Sequence, residues 1–349
     1  MIAQNSFQIA PGEGSDVELA FIGPQTIGEE ILLQEGISHK KILAGKIRRY
    51  SSLQNIFDIF KLPVGLCQAL WHLFVFMPNA VFSKGGYGSV PVVLAAWLFR
   101  IPVLIHESDA IAGLANKFCA KFSKKVAISF KGAAKFFPVI KTALTGNPVR
   151  SEILNGSKEK ARELFGLSGT KSVLLILGGS QGAKTINEAI IPVLLLLMSR
   201  CEIIHQTGAE NLESVKEMLN NRLPAGYQPY PFLNEEQLRA AYATADLVIS
   251  RAGAGSIAEI AVLGKPSILI PLSNSAGDHQ HENAADFADF GATEILEQAN
   301  LTPHMLQSRI FRLLDNPDLL KKMAGNAEHF NPPDAAQKIA QEILSIAKY

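Results

Sequence analysis

The chain has 349 residues, with 33 Lys or Arg against 32 Asp or Glu and a formal net charge of +1. This length suits two domains, each large enough to bury a core of its own. The nearly balanced charge excludes a global attraction to nucleic acid, so we expect no nucleic-acid partner. The three cysteines have neither metal-ligand spacing nor an even number for disulfides, which is typical of reduced thiols in the cytoplasm.

Apolar residues make up 48% of the chain and the mean hydropathy is +0.15, yet no apolar run reaches the length of about 18 residues that crosses a bilayer. The densest run, Leu62 to Phe76, contains Gln68 and His72. It predicts a buried helix or a helix on a membrane surface. The first residues lack a basic and apolar signal pattern, so we expect no signal peptide and a cytoplasmic location.

Apolar runs alternate with helical stretches along the chain, which predicts α/β domains built on parallel sheets. The predicted strands are Val17–Ile22, Ala80–Phe82, Val103–Ile105, Lys125–Ile128, Ser172–Leu177, Glu202–His205, Leu247–Ile249 and Ser267–Ile270. Glycine-rich or polar clusters follow nearly all of them. Since ligands of such sheets bind at the carboxyl ends of the strands, these clusters are candidate sites.

A basic cluster precedes the aromatic-rich stretch 50–71. Its members are Lys40, Lys41, Lys46, Arg48 and Arg49. Apolar side chains follow it at Leu53, Ile56, Phe57 and Phe60. Together they predict binding to an anionic membrane surface, and a solvated basic loop beside a core helix is the alternative.

Breaks in regular structure predict the domain organisation. Pro148 and Asn155-Gly156 interrupt the pattern, so we place a first domain at 1–150 and a second at 151–333. Asn331-Pro-Pro333 ends a helix before a last amphipathic helix. We expect this C-terminal segment, 334–349, to rejoin the first domain.

The strand Ser172–Leu177 runs directly into a glycine-rich turn that opens a helix. Its glycines, Gly178, Gly179 and Gly182, allow close approach of a ligand, and the helix N-terminus attracts an anion. The turn matches neither a nucleotide-hydrolysing P-loop nor the spacing of a dinucleotide site. It predicts a phosphate site, with a tight connection between strand and helix as the alternative.

Six motifs occur in order along the chain. They are Gly85–Pro91, His106–Asn116, Gly146–Arg150, Gly178–Ala183, Arg251–Ile260 and Asp278–Ala284. As a set they resemble the MurG family of peptidoglycan N-acetylglucosaminyltransferases, from about residue 16 to the C-terminus. The resemblance implies the GT-B fold, in which two Rossmann-like domains with parallel sheets face a central cleft.

The resemblance also implies a function. Members of this family are inverting glycosyltransferases that move N-acetylglucosamine from UDP-N-acetylglucosamine to lipid I, which gives lipid II in peptidoglycan synthesis and so serves cell wall biogenesis, cell shape and cell division. It implies a peripheral location on the cytoplasmic face of the plasma membrane, and neither a metal nor another cofactor. His279 and His281 also fit a zinc pair, but no third ligand is evident nearby.

For the donor, the resemblance implies a site mainly in the second domain. The implied residues are Asp109, Arg150, Gly179, Ser180, Gln181, Gly182, Leu233, Arg251, Ala254, Gly255, Ser256, Glu259, Gln280 and Asn283. Arg150 would pair with the diphosphate, or form a linker salt bridge instead. Glu259 would accept ribose hydroxyls, or simply cap a helix. Phe232 and Leu233 would face uracil, and Gln280 and Asn283 the sugar.

For the acceptor, the resemblance implies that Gly85, Gly86, Tyr87 and Gly88 face the pyrophosphate of the lipid. Asp109 stands where the family has an amide, which departs from its pattern. His106 ends a strand. It is a weak candidate for a catalytic base, and a buried structural histidine is the alternative.

The family normally begins with a strand and a Gly-Gly-Thr-Gly-Gly-His loop, whose histidine is a proposed base. Here no histidine precedes His39, and Val17–Gly23 resembles the second strand of the family. We therefore expect the first strand and loop to be missing, and the catalytic residue stays unknown. Two other hypotheses remain: a non-catalytic UDP-sugar-binding protein that lacks the loop, and a GT-B transferase with a different lipid acceptor such as a diacylglycerol.

Overall fold

A computed structural model describes residues 17–24, 29–45, 53–179, 183–273 and 276–347, without the side chains of 53–60 and 276. The chain forms two compact units. Unit 1 comprises Met1–Gly146 and Asp334–Tyr349, and unit 2 comprises Asn147–Pro333. The first division lies between Gly146 and Asn147, at the start of the Gly146–Arg150 motif, and the domain limits 1–150 and 151–333 stay predictions. Residues 1–16, where the sequence lacks the glycine and histidine loop of the family, lie outside the described residues.

Unit 1 is built on parallel strands in two sheets. The strands are β1 (Ala20–Gly23), β2 (Ser38–Lys41), β3 (Val81–Ser83), β4 (Val103–Glu107), β5 (Lys125–Ile128) and β6 (Thr142–Leu144). β1 pairs with β2, and the other four form a sheet in the order β3-β4-β5-β6. Every residue of β4 is buried, as expected of a central strand covered on both faces.

The first helices of the chain belong to unit 1. They are α1 (Glu29–Gln34), α2 (Leu53–Phe76), α3 (Ser89–Leu98) and α4 (Leu114–Cys119). α2 and α3 bury Leu73, Val93 and Ala96 in a core that also holds Ile105 of β4. Among the described residues, no helix combines the length and the apolar character needed to cross a bilayer.

Unit 2 contains one parallel sheet of six strands. The strands are β7 (Ser172–Leu177), β8 (Cys201–Gln206), β9 (Tyr227–Tyr230), β10 (Leu247–Ser250), β11 (Ser267–Leu269) and β12 (Thr293–Ile295). Their spatial order is β12-β11-β10-β7-β8-β9. Read from the other edge, this is the doubly wound order of a Rossmann fold, in which the direction of winding reverses between β7 and β10.

Helices precede, connect and follow the strands of unit 2. They are α5 (Lys158–Phe165), α6 (Lys184–Ile190), α7 (Leu194–Leu197), α8 (Leu212–Met218), α9 (Glu235–Thr244), α10 (Ala254–Val262), α11 (His279–Asp289), α12 (Pro303–Leu314) and α13 (Pro317–Glu328). Leu174, Ile176 and Ile203 of the sheet pack with Ile186 and Leu306 of the helices in one apolar core. This core holds the strand ends of unit 2 in fixed positions.

The last helix, α14 (Ala335–Ile346), belongs to unit 1. Its Ile339 and Ile346 pack against Leu104 of β4 and Ala127 of β5. Lys125 donates to Glu342 Oε2 at 2.5 Å and ties the helix to the sheet. The C-terminal segment therefore packs on the sheet of unit 1.

The places where the chain enters and leaves unit 2 are joined by hydrogen bonds. Asn147 N donates to Asn331 Oδ1 at 2.8 Å, and Asn331 Nδ2 donates to Asn147 O at 3.1 Å. Both residues are buried. One side-chain amide thus fixes the two ends of the unit together.

Candidate functional site

The loops that follow β7 and β10 lie at the point where the winding of the unit 2 sheet reverses. In doubly wound folds this point, at the carboxyl ends of the strands, is where ligands bind. The loop after β7 is the glycine turn that begins at Gly178, and the loop after β10 is the segment Arg251–Gly255. The topology therefore brings two of the predicted motifs to one place.

A glutamine at the end of β8 holds the glycine turn. Gln206 Nε2 donates to Gly179 O at 3.1 Å, and Gln206 Oε1 accepts from Leu233 N at 3.1 Å. Gly179 has a φ of 79°, which a side chain would strain. The other predicted members of the turn, Ser180, Gln181 and Gly182, lie outside the described residues. Gln206 thus links the turn to the segment predicted to face uracil.

Arg251 holds the loop after β10. Its Nη1 donates to Ile270 O at 3.0 Å and its Nη2 donates to Thr185 Oγ1 at 2.8 Å. Burial lowers the pKa of the guanidinium, although an arginine stays charged in proteins. The side chain therefore joins three segments at the strand ends, in addition to the donor contact that the family resemblance implies.

The N-terminus of α10 is open. Gly253 precedes the helix, and Ala254, Gly255 and Ser256 form its first turn. Among the described residues, a Cβ added at Gly253 or Gly255 would meet no atom within 4 Å apart from its chain neighbours and its own helix backbone, so these residues leave space beside this turn. The first backbone N–H groups of a helix have no partner inside the helix and can donate to a ligand.

Glu259, one turn further along α10, is held by two donors. Arg150 Nη2 lies 3.4 Å from Glu259 Oε1, and the Tyr242 hydroxyl donates to Glu259 Oε2 at 3.3 Å. Burial raises the pKa of this carboxyl group, whereas Arg150 and Tyr242 oppose that rise. The sequence predicts Arg150 and Glu259 as ligands of two parts of one nucleotide, and they are neighbours in the structure.

The remaining predicted donor residues of unit 2 differ in exposure. Asn283 is fully buried and donates to Ala252 O at 3.2 Å, so its amide supports the loop after β10. Gln280 is half-buried and its Oε1 accepts from Leu272 N at 3.0 Å. Leu233 is buried, whereas Phe232 is 60% exposed and offers an apolar surface.

In unit 1, the glycine loop after β3 takes a conformation that requires glycine. Gly85 and Gly86 have φ values of 88° and 83°. A Cβ on Gly85 would lie 2.5 Å from Asn116 Oδ1, whereas a Cβ on Gly86 would meet nothing within 4 Å. Gly88 precedes α3, and the side chain of Tyr87 is exposed. The loop Gly85–Gly88 therefore exposes backbone groups and the aromatic ring of Tyr87.

His106, the weak candidate for a catalytic base, is completely buried. Lys84 Nζ donates to its Nδ1 at 2.9 Å, so the ring proton is on Nε2, which lies 3.2 Å from Gly146 O and 3.0 Å from Ser129 Oγ. Burial and the nearby ammonium lower the pKa of His106 to about 3. Both ring nitrogens therefore bond inside unit 1, which corresponds to the structural alternative.

Asp109 and Glu107 belong to the same loop region at the end of β4. Glu107 is buried and accepts from Asp109 N, Gly113 N and Asn116 Nδ2, so this carboxylate organises the loop. Desolvation of the ammonium lowers the pKa of Lys84, and the carboxylates of Asp109 and Glu107 oppose this shift. Asp109 is half-buried at the strand end, next to a cation.

Over the described part of the chain, no group of three or more His, Cys, Asp or Glu side chains is placed to hold a metal ion. His281, half of the predicted zinc pair, forms an exposed contact of 3.1 Å with Glu297. The described residues around His279 and His281 therefore do not form a set of metal ligands.

Sequence reasoning gave no site role to Gln206, Thr185 or Tyr242. Gln206 directly follows the predicted strand Glu202–His205, so its position places it in one of the polar clusters at strand ends. Thr185 and Tyr242 give no such signal, because their role depends on partners at distant positions, Arg251 and Glu259.

Comparisons with known proteins agree with this arrangement. Residues 11–128 match the N-terminal domain of glycosyltransferase family 28, and residues 173–339 match its C-terminal domain. The chain is 40% identical over 329 residues to the UDP-N-acetylglucosamine–N-acetylmuramyl-(pentapeptide) pyrophosphoryl-undecaprenol N-acetylglucosamine transferase 2 of Bacillus cereus, covering 93% of this chain and 91% of that protein. It is 41% identical over 337 residues to the corresponding transferase of Clostridium botulinum, covering 95% and 91%.

Among solved structures, the crystal structure of Acinetobacter baumannii MurG matches with a TM-score of 0.75 and 30% identity, over 94% of this chain and 91% of that one. With its two α/β units on parallel sheets, the chain has the GT-B fold that the sequence predicts. The chain therefore belongs to glycosyltransferase family 28, and within it to the MurG family of N-acetylglucosamine transferases.

Proposed function

We propose that this chain transfers N-acetylglucosamine from UDP-N-acetylglucosamine to the N-acetylmuramyl-pentapeptide of pyrophosphoryl-undecaprenol, lipid I, in peptidoglycan synthesis. The observation that carries the proposal is the similarity to transferases of that name along 93% of the chain. The site at the winding reversal of unit 2 supports it, because its groups have the chemistry that a nucleoside diphosphate needs.

In the proposed donor site, the diphosphate lies against the glycine turn after β7 and the exposed side of Arg150. Backbone N–H groups and a guanidinium are the usual ligands of such an anion. The ribose hydroxyls donate to Glu259. A carboxylate has about four acceptor positions, and Arg150 and Tyr242 take two of those on Glu259, so each oxygen keeps room for one hydroxyl.

The two ends of the donor are held by other groups in this proposal. The half-buried Gln280 contacts a hydroxyl of N-acetylglucosamine, and the exposed ring of Phe232 covers one face of uracil. In this proposal Asn283 supports the site without contacting the donor, because it is buried and bonds the loop after β10. Arg251 likewise fixes that loop through Thr185 and Ile270.

In the proposed acceptor site, the loop Gly85–Gly88 of unit 1 receives the pyrophosphate of the lipid. Its two left-handed glycines leave the backbone accessible, and α3 begins directly after it. Backbone N–H groups and the positive end of a helix favour a negatively charged group at this position.

The proposed chemistry is a single displacement with inversion. The acceptor hydroxyl oxygen attacks the anomeric carbon while the bond from that carbon to the β-phosphate oxygen breaks. UDP leaves with the electron pair, and the hydroxyl proton passes to a base. Negative charge grows on UDP as it leaves, so Arg150 and the helix N-termini stabilise the transition state more than the ground state.

A lipid acceptor calls for contact with a membrane, and unit 1 has a surface suited to it. We define the apolar patch as the exposed side chains of Trp71, Phe74, Val75, Met77, Trp97, Leu98 and Phe99. The rings of Phe74 in α2 and Phe99 after α3 are 6.5 Å apart, which joins the two helices into one surface. We propose that this patch enters the interface of an anionic membrane.

Cations adjoin the apolar patch. A surface cavity of about 360 Å³ is lined by Trp97, Phe122, Arg100, Lys121 and Lys124, among others. Exposed cations beside an apolar surface are suited to anionic head groups. The basic residues 46–49 of the sequence-based prediction lie outside the described residues, as do the side chains of Leu53, Ile56, Phe57 and Phe60.

The test is transfer of radiolabelled N-acetylglucosamine from its UDP carrier to lipid I dispersed in detergent. We expect labelled lipid II, and no transfer when a diacylglycerol replaces lipid I. Transfer to the diacylglycerol alone would identify a different lipid acceptor. Binding of UDP-N-acetylglucosamine without transfer to either lipid would contradict the proposed activity and favour the binding-protein hypothesis.

A further inference from the structure

Tyr242 is a buried tyrosine whose hydroxyl points at the donor site. It lies in α9, its side chain is completely buried, and its hydroxyl donates to Glu259 Oε2 at 3.3 Å. A buried hydroxyl that lost its partner would cost free energy, so this bond is maintained while unit 2 is folded. Tyr242 thus restrains one carboxylate oxygen of Glu259 from inside the protein.

The other carboxylate oxygen of Glu259 has a different kind of partner. Arg150 Nη2 is 3.4 Å from Oε1, and the side chain of Arg150 is 44% exposed. An exposed, long ion pair contributes little and can be exchanged for a contact with a bound anion. Tyr242 is therefore the partner that remains when a diphosphate attracts Arg150.

We propose that Tyr242 is a positioning residue of the donor site: its hydroxyl fixes the Glu259 carboxylate in the orientation that accepts both hydroxyls of the ribose. The inference rests on the proposed function, in which Glu259 binds the ribose of UDP. Tyr242 itself does not touch the ligand. The Tyr242 hydroxyl holds the carboxylate so that each of its two oxygens can accept one of the two ribose hydroxyls.

This role has a consequence for the pH dependence of UDP binding, because the carboxylate accepts both hydroxyls only when ionised. Burial raises the pKa of Glu259, and the described groups that oppose it are Arg150 and Tyr242. Loss of the Tyr242 hydroxyl should therefore raise the pKa of Glu259 further. The pH below which UDP affinity declines should move upward.

The experiment compares Tyr242→Phe with Tyr227→Phe. Tyr227 is also buried in unit 2, and its hydroxyl bonds His205 Nδ1 at 2.9 Å, away from Glu259. Each variant loses one buried hydroxyl, so similar losses of melting temperature are expected. In calorimetric titrations, we expect Tyr242→Phe to bind UDP roughly tenfold more weakly, and Tyr227→Phe to bind it like the native chain.

Two further readouts separate positioning from a general structural effect. With 2′-deoxy-UDP, which offers Glu259 one hydroxyl fewer, the loss caused by Tyr242→Phe should be clearly smaller than with UDP. The acidic decline of UDP affinity should shift to higher pH in Tyr242→Phe and stay unchanged in Tyr227→Phe. Equal UDP affinity and an unshifted decline in Tyr242→Phe would overturn the inference.

Failure of the inference differs from failure of the proposed function. A native chain that binds no UDP contradicts the proposed function, whereas a native chain and a Tyr242→Phe variant that bind it equally contradict only the role of Tyr242. If Tyr242→Phe does not fold, Tyr242→Met replaces it, since a flexible apolar side chain can fill the buried position without a hydroxyl. Native UDP affinity and an unshifted acidic decline in a folded Tyr242→Met variant would overturn the inference.

Discussion

Arg150 Nη2 and Glu259 Oε1 are 3.4 Å apart, although the two residues are 109 positions apart in the chain. The predicted phosphate ligand and the predicted ribose ligand are thus each other's partners in the ligand-free molecule. The side chain of Arg150 is 44% exposed and that of Glu259 is 19% exposed, so the pair is open to a ligand on one side. In the proposed donor site, a nucleotide would reach both side chains from that side.

The glycine loop of unit 1 gives the first prediction. Gly85→Ala should disturb the loop more than Gly86→Ala, because both have positive φ but only a Cβ at Gly85 collides with Asn116. We expect a higher KM for lipid I in Gly85→Ala than in Gly86→Ala. UDP affinity should be unchanged in both. Steady-state kinetics with lipid I varied, together with UDP titrations, will measure this, and equal KM values in the two variants would refute the collision argument.

Acid sensitivity gives the second prediction. His205 is buried between Tyr227 and Asn187, and burial lowers its pKa to about 3. An unfolded histidine titrates near pH 6.5, so below that pH the unfolded state binds more protons. Its contribution to stability is therefore complete above about pH 6.5 and declines as the pH falls towards 3. At pH 5 the loss should be roughly 2 kcal/mol.

The measurement compares the melting temperature of unit 2 at pH 7.5 and pH 5. We expect a smaller drop in His205→Gln than in the native chain, because glutamine takes up no proton. His281→Gln, which replaces an exposed histidine of the same unit, is the control and should show the native drop. Identical drops in all three chains would mean that His205 does not titrate on unfolding.

The amide that joins the two ends of unit 2 gives the third prediction. Asn331→Ala removes two hydrogen bonds to the backbone of Asn147 at a buried position, which should lower the free energy of unfolding by about 1–3 kcal/mol. Asn326→Ala removes one exposed bond to Gly291 O and should cost less. Thermal unfolding of both variants measures the two losses of stability. Equal losses would show that the buried amide of Asn331 contributes no more than the exposed amide of Asn326.

The sequence predicts the central strands of both units, and the structure explains why it misses others. β2, β6, β9 and β12 were not predicted, and each lies at an end of its sheet. β2 reads Ser-His-Lys-Lys and β9 reads Tyr-Gln-Pro-Tyr, since an edge strand need not be apolar on both faces and tolerates proline. Apolar runs identify the buried central strands, and they also identify β1 and β3, which lie at sheet ends but are composed mainly of apolar residues.

The candidate site was predictable to a similar extent. A glycine-rich turn after a strand is a signal within the sequence itself, so the loop after β7 could be predicted as a phosphate site. The partners of Glu259 could not be predicted, because Arg150 and Tyr242 are distant from it in the sequence and contact it only in the folded unit. His106 shows the same limit, since its place at a strand end fits both a base and a structural residue. Its complete burial, which the sequence does not show, favours the latter.

Membrane binding gives the fourth prediction. Replacing Trp71 and Phe74 of the apolar patch by serine should reduce sedimentation with vesicles that contain anionic lipid, because less apolar surface enters the interface. Leu195→Ser with Leu196→Ser removes exposed apolar side chains from unit 2 and is the control. High salt should weaken binding through Arg100, Lys121 and Lys124. Native-like sedimentation of the Trp71 and Phe74 variant would exclude the apolar patch as the contact surface.

The most direct test of the account is calorimetric titration of UDP into three chains. Glu259→Gln should bind UDP about 1–3 kcal/mol more weakly than the native chain, because it loses charge-assisted hydrogen bonds to the ribose. Glu294→Gln is the matched control: its carboxylate is 17% exposed, against 19% for Glu259, and it also pairs with arginine, at Arg309 and Arg312. We predict native affinity in Glu294→Gln. Native affinity in Glu259→Gln as well, or no binding of UDP to the native chain, would contradict the donor site described for unit 2.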